Sequence, residues 1–480
     1  MLSYIYHAFS TFRFLFSRQR SYILFCFVIL GFMGSTDING ISSFCRFFQF
    51  ATPGYLALLH FFRSNAYDLD AVTHHWQDFV LQSEQVMKYQ GRIIVIGDHT
   101  SNSKEGRKMP GVKTLCDSSE TQSKPSFFRG HMWGALGVLV GSPKEPFCLP
   151  MSLRLHQGFL HIIPEGISLV KKTVINRMML MAMNFANNHN QPILLILDAY
   201  FSVSSVFQLA NCLLCQFSEK ALVNVLTRAK KSYVACCINP ISFNGTQWKL
   251  PERIKLYNVF DLYPFLFTEC NAVIYGRNER VKLLSLTLYW PPASTQIRFI
   301  FAHTSRGKIV LMSNDLDLSA IDALLLYCLR FRIETMFQML KSVIGAFSYH
   351  FWTEAMPTHS RKAVSNEKLQ APLPENVAAC QKAWSCYERF VIFGAIAQGL
   401  LQLLALKYKD DIWKRFCGFL RTRSRALPSE QTVKSVMATL ISKKDGNINQ
   451  QAIIMDIEAV LPESLKQPMG QASIYKDPKA

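Results

Sequence analysis

The sequence predicts an α/β fold, and three observations predict it. Two short apolar runs, residues 92–97 and 193–197, each end at an aspartate, Asp98 and Asp198. Runs of that length with abrupt polar ends read as buried strands. An amphipathic helix at about 320–344 follows a stretch of alternating residues at about 231–312. On either side, over residues 1–90 and after 346, aromatic and leucine residues recur at helical spacing.

Taken in order, residues 42–48, 55–62 and 76–86 carry the helical pattern of the N-terminal region. Aromatics at that spacing serve a core more often than a ligand surface. After the strand ending at Asp98 comes a polar stretch rich in Gly and Lys, residues 98–112, which reads as a loop. Residues 131–141 and 159–163 are expected as strands, 173–188 and 203–217 as helices, and 222–226 as a further strand. In the alternating region, 281–289, 297–303 and 308–312 are expected strands, and Arg306–Gly307 can turn the last two into a hairpin. Ser319 is positioned to cap the helix that follows, with Asp322 three residues on and Gly345 at its end. The last residues, with Pro468, Gly470 and Pro478, read as disordered.

The bulk numbers narrow the partners. Across 480 residues there are 52 Lys and Arg against 33 Asp and Glu, a net charge of +19. Such a balance attracts polyanions, either nucleic acid or an anionic membrane surface. The 13 cysteines are scattered, and Cys212 and Cys215 form one C-x-x-C with no second pair at zinc spacing. They read as reduced thiols rather than a disulfide frame or a structural zinc site. Residues 22–33 are apolar but too short to span a bilayer. Residues 390–406 are longer, yet Gln398 and Gln402 lie four apart and give the helix one polar face, as in a buried helix.

The chemistry begins with carboxylates. Asp98 and Asp198 both sit where strands end, the place where ligands gather in open α/β sheets. Alone, each is equally a turn aspartate. The helix at 320–344 adds Tyr327, Arg330, Glu334 and Lys341. At 100° per residue these share a stripe about 60° wide, beside the apolar arc that docks the helix, while Arg332 points away. A solvated, salt-bridged face is the plain alternative.

The series Tyr327-x2-Arg330-x3-Glu334-x6-Lys341 resembles the signature of a large group of bacterial insertion-sequence transposases of the DDE type. Other segments agree: Asp98, Thr100, Lys104 and Gly106 resemble the first aspartate block, residues 197–201 the second, and 227–231 the block beyond it. Residues 313–320 and 349–352 flank the third acid as in that family, and the likeness covers roughly residues 90–410. The resemblance implies a ribonuclease-H-like catalytic core spanning 91–345, with a β-rich insertion at about 231–312. It implies a metal-binding catalytic triad of Asp98, Asp198 and Glu334, holding two Mg²⁺ or Mn²⁺ ions, and assigns Tyr327, Arg330 and Lys341 to the terminal phosphate of the transposon end. Lys104, Arg107 and Lys108 are expected on the DNA backbone, though a solvated loop would place them equally well. Residues 1–90 are expected to bind DNA ends, 346–465 to form a helical region that is a candidate dimerisation surface, and 466–480 a disordered tail.

The implied activity is cleavage of transposon ends and strand transfer into target DNA, by a homodimer on double-stranded DNA in a bacterial cytoplasm, without membrane. Two alternatives remain: a transposase-derived DNA-binding protein without catalysis, and a basic membrane-associated protein.

Overall fold

A computed structural model describes residues 1–37, 40–104, 106–116, 127–156, 173–215, 218–237, 241–243, 246–248, 251–358, 376–420, 426–442 and 448–465. The expected strand at 159–163 and the expected tail at 466–480 lie outside the described residues.

The protein is mixed α/β, built on one sheet of 13 strands among the described residues. Its centre is made of β1 (Arg92–Ser103), β2 (Phe127–Gly141), β3 (Pro146–Leu155), β4 (Ile193–Ile196) and β5 (Val223–Arg228), in the spatial order β3-β2-β1-β4-β5. The first three strands form an antiparallel meander, whereas β4 and β5 run parallel to β1. Parallel strands need crossovers, and helices supply them. The β3–β4 connection ends in α6 (Val174–Asn188), and α7 (Ser204–Cys212) lies between β4 and β5. The four residues of β4 are all buried, as expected of a strand covered on both faces.

Two expectations along this sheet are corrected. The polar stretch after Asp98 is not loop from its start, because β1 continues to Ser103 by pairing with residues 130–135 of β2. Backbone pairing overrides the weak strand preference of Asn and Ser. The helix expected over 203–217 stops at Cys212, and Leu214–Cys215 pairs with Ser218–Ala221 instead. The C-x-x-C thus spans a helix end and a strand.

Beyond β5 the chain forms a β-rich insertion: β6 (Thr268–Ile274), β7 (Arg277–Trp290), β8 (Thr295–Thr304) and β9 (Gly307–Ser313), all antiparallel neighbours. β9 pairs with β5, so the insertion extends the central sheet. The β8–β9 hairpin turns at Ser305–Arg306, with Gly307 at φ 111°. The β6–β7 hairpin turns on Tyr275 and Gly276, both at positive φ, the geometry of a type I′ turn.

The terminal regions form one helical layer. The helices are α1 (Leu2–Ser10), α2 (Gln19–Gly34), α3 (Ile41–Phe48), α4 (Thr52–Arg63) and α5 (Leu69–Leu81) at the start, and α10 (Val377–Lys407), α11 (Glu430–Ser442) and α12 (Gln450–Ala459) at the end. All of α2 except Arg20 is buried, against α10, α11 and α3. Each Phe, Ile, Leu or Val removed from water there contributes roughly 1.5–3 kcal/mol. The apolar helix α10 is the one described helix long and apolar enough to cross a membrane, and 89% of that apolar stretch is buried within the chain. Gln398 and Gln402 both donate to the buried carboxylate of Glu430, at 3.3 and 2.9 Å, and to the backbone carbonyls of Met336 and Cys148. The polar face therefore meets protein, which explains two glutamines inside an apolar run.

Gly399 lets α10 pack close against Trp76 of α5. A Cβ there would lie 2.3 Å from Trp76 Cζ2, and the indole cannot yield because its N–H donates to the Pro150 carbonyl at 2.9 Å. Gly399→Ala is expected to destabilise the fold by about 1–3 kcal/mol through overpacking. A thermal midpoint equal to that of the parent protein would contradict this.

The third-acid helix is not continuous. It comprises α8 (Ala320–Cys328), a tight turn at 329–331, α9 (Arg332–Met339) and a π-helical turn, Leu340–Ile344. Ser319 caps its start by accepting from Asp322 N–H, and Gly345 ends it at φ 72°. The expected single helix fails at 329–331, where Arg330, Arg332, Ile333 and Glu334 each bond to the carbonyl three residues back. That tightening to about three residues per turn keeps Tyr327 and Arg330 on one side.

Candidate active site

Asp98 and Asp198 occupy equivalent positions. Ile96 pairs with Ile196 across the parallel β1–β4 ladder, and each aspartate lies two residues further on. Adjacent strands run about 4.8 Å apart, so the two carboxyl groups start side by side. There the sheet splits: β1 continues along β2, while the chain after β4 turns into a short 3₁₀ turn, Ala199–Phe201, capped by Asp198 itself. Gly97 makes room behind Asp98, where a Cβ would lie 2.9 Å from both Leu197 and Met178.

Asp98 Oδ1 accepts from His99 N–H at 2.7 Å, and Asp198 Oδ1 accepts from Tyr200 N–H at 2.9 Å. The Asp198 carbonyl accepts from the buried Thr227 hydroxyl at 2.6 Å, which ties the end of β4 to β5. Glu334 enters from α9 and is the exposed member of the three, at 59%. Arg330 links Asp98 and Glu334, with Nη1 3.3 Å from Asp98 Oδ2 and Nη2 2.5 Å from Glu334 Oε1. The three acids that the sequence singles out thus meet at one place. Burial pushes the Asp98 carboxyl up to about 6, and the charges of Asp198 and Glu334 add to the shift. Burial also raises the Asp198 carboxyl. Acids held high by burial and by each other form a site short of positive charge. Arg330 supplies one cation.

The remaining residues of the stripe sort differently. Tyr327 faces Arg330 and Asp198, and burial pushes its phenol up to about 12, so it stays protonated and can donate. Lys341, in the π turn, donates to the Ser101 carbonyl at 2.7 Å and so sits over the far end of β1. Arg332 turns to the opposite side and lines a cleft with Glu145 and Glu430. Arg107 is exposed and Lys108 half-buried, as a surface contact requires. Lys104 is not at the surface. It is 6% exposed, its ammonium donates to the Phe347 and Tyr349 carbonyls at 2.6 and 3.2 Å, and it lies over the Tyr387 ring.

Three features escape the sequence reading. His99 packs behind Asp98 against His156 and Phe201, and burial lowers its ring to about 4, which keeps it uncharged. The tip of the β6–β7 hairpin brings Tyr275 against Phe331 and under Arg306, so the insertion reaches the turn that carries Arg330. Arg228 ends β5 and Lys230 and Lys231 follow it, on the same edge of the sheet as the two aspartates, and both lysines are exposed. Their signal was present in residues 227–231, but only as a likeness and not as a charge pattern.

Compared with known proteins, the chain matches no protein-family model and no curated sequence.

Proposed function

We propose that this site performs metal-dependent phosphoryl transfer on DNA, and that the chain is a DDE-type transposase with a ribonuclease-H-like core. The observation that carries this is the meeting of Asp98, Asp198 and Glu334 at the split between β1 and β4, with Arg330 bridging Asp98 and Glu334. The strand order β3-β2-β1-β4-β5, with an antiparallel meander and then two parallel strands, supports the core assignment. The β-rich insertion before the third acid supports the family assignment.

The donor set fits a hard divalent cation: three carboxylates, two of them held above their usual range by burial. When bound by Asp98, Asp198 and Glu334, a pair of Mg²⁺ or Mn²⁺ ions supplies an activated oxygen nucleophile and neutralises the leaving oxygen. The chain's own groups do the rest. Arg330 offers a fork that suits phosphate. Tyr327 donates a neutral hydrogen bond, and Lys341 adds a point charge beside β1. Arg228, Lys230 and Lys231 at the end of β5, and Arg107 beyond β1, offer cations to the DNA backbone. His99, uncharged, walls the site without competing for the acids. On this reading the chain works on chromosomal DNA in the cytoplasm, and the pairing of two ends calls for a homodimer.

The test is incubation of purified protein with its own element's ends and Mg²⁺, with products mapped to the nucleotide. Cleavage at the end boundaries is expected. Specific end binding without any cleavage in Mg²⁺ or Mn²⁺ would favour the non-catalytic alternative. The acid–base state of Asp98 adds a second expectation. Its folded value, about 6, lies above the unfolded value near 3.9. Ionising it therefore costs the metal-free fold stability as pH rises between those values, and protons compete with metal below about 6. The Mg²⁺ concentration for half-maximal cleavage should rise steeply below pH 6 and level off above pH 7. A requirement that does not change from pH 5 to 8 would count against Asp98 as a ligand.

A further inference from the structure

Apart from the carboxylate triad, a second cluster of ligand-type side chains lies at the seam between the helical layer and the sheet. His74, Asp78 and His189 each place a donor atom within 4.8 Å of the others. His74 and Asp78 are four apart on α5 and share one face of it. His189 is the C-cap of α6, which packs on the central sheet.

One carboxylate here faces two imidazoles. Asp78 Oδ1 lies 2.9 Å from His189 Nδ1, and Oδ2 lies 3.5 Å from His74 Nε2. The other nitrogen of His189, Nε2, is 2.8 Å from Gln77 Oε1. The amide nitrogen of Gln77 is committed to the Met151 carbonyl at 3.3 Å and Ser152 Oγ at 2.7 Å. Gln77 therefore presents its carbonyl to His189, and His189 Nε2 must be the N–H that donates to it. In the neutral ring, Nδ1 is then a lone pair aimed at a carboxylate oxygen. Two electron-rich atoms at 2.9 Å call for either a proton or a metal ion between them. The two rings stack nearly parallel, with centroids 4.6 Å apart, so His74, whose side chain is 45% exposed, has to swing to aim Nε2 at an ion held by Asp78 and His189.

We propose that His74 Nε2, Asp78 and His189 Nδ1 form a binding site for a transition-metal dication of the zinc class. Two imidazoles and a carboxylate are a common donor set for such ions. Ligands about 2.0–2.1 Å from one ion at tetrahedral angles lie roughly 3.3 Å apart. Asp78 meets the two rings through different oxygens, Oδ1 at 2.9 Å from His189 Nδ1 and Oδ2 at 3.5 Å from His74 Nε2, on either side of that spacing. Gln77 plays the outer-shell part, accepting from the far nitrogen of a ligating histidine and fixing its tautomer. A cleft of about 200 Å³ opens beside His74, lined by Thr73, Gln77, Ser152 and Asn184. It gives the ion a route in and leaves an open position for water. The ion would fasten α5, in the N-terminal layer, to α6 on the sheet. The site is independent of the activity proposed for the triad.

The experiment titrates metal-free, full-length protein with Co²⁺, in a Glu334→Gln background that weakens the triad as a competing site. One equivalent of Co²⁺ should produce visible absorption bands, be displaced by Zn²⁺ and resist a large excess of Mg²⁺. Zn²⁺ should also raise the thermal midpoint. His74→Ala and Asp78→Asn should each weaken Co²⁺ binding by about 10–100-fold or more. His74 is 45% exposed, so its removal leaves the fold intact. Absence of a saturable Co²⁺ signal from the folded protein overturns the proposal. So does a signal that both variants leave unchanged.

Discussion

Replacing Glu334 with Gln is expected to lower strand cleavage by about a thousandfold or more while leaving end binding intact. Gln keeps the shape and can still accept from Arg330, but it cannot neutralise a divalent cation. Losing several kcal/mol of metal-supplied stabilisation, at about 1.4 kcal/mol per decade, gives that magnitude. Folding should hardly change, because the Glu334 side chain is 59% exposed and an exposed ion pair contributes about 0–1 kcal/mol. DNA binding survives because removing an acid reduces repulsion toward phosphate. Arg330→Ala is expected to behave in the opposite way. It leaves the triad whole and removes a phosphate contact, so end binding weakens and the log–log salt slope falls by about one. A gel-shift titration over salt, beside a cleavage assay on both variants, separates the two roles. Full cleavage by the Gln variant would remove Glu334 from the triad, and an unchanged slope for the Ala variant would return Arg330 to an ordinary helix face.

The second large effect is on stability. Lys104→Ala should destabilise the fold by about 2–4 kcal/mol, since it strips two buried carbonyls of their donor and leaves a void. Those carbonyls, of Phe347 and Tyr349, lie in the segment that follows the third-acid helix, so Lys104 holds that segment to the end of β1. Burial also lowers the Lys104 ammonium to about 8. For a base with a depressed folded value, the penalty of the buried charge is present below about 8. It fades as pH rises from there toward the ordinary value near 10.4, so the Lys104 contribution to stability improves across that window. Urea unfolding of the parent protein and variant at pH 7 and 9.5 measures both effects. End binding per folded molecule should keep its salt slope. A flattened slope with parental stability would instead make Lys104 a DNA contact, as the sequence reading expected.

Much of the site was legible without coordinates, and particular residues show why. Asp98 and Asp198 end apolar runs, and a run of period two or a continuous buried run leaves a plain mark in sequence. Glu334, Arg330 and Tyr327 share a stripe because helical geometry repeats every 3.6 residues, and the local tightening at 329–331 preserved it. The Gln398–Gln402 face and the Ser319 and Gly345 caps are local as well. Each depends on neighbours within a turn or two of chain.

What the sequence alone determined, then, is the class of fold, the two strand-end acids, the polar stripe and the basic charge, all carried by short-range periodicity and residue chemistry. What only the tertiary structure decided depends on partners far away in the chain. β3 went unread because its Pro146 and Pro150 argue against a strand, and it is tolerated there because Pro150 sits at a register shift where β3 pairs with β2. The strand after Asp98 exists only because β2 pairs with it. Lys104 is buried because carbonyls from residues 347 and 349 come to meet it. Tyr275 reaches the Arg330 turn through a hairpin, and His189 meets Asp78 across more than a hundred residues of chain. Hydrogen bonds and burial between such distant segments are set by how the layers pack, and no local pattern records that packing.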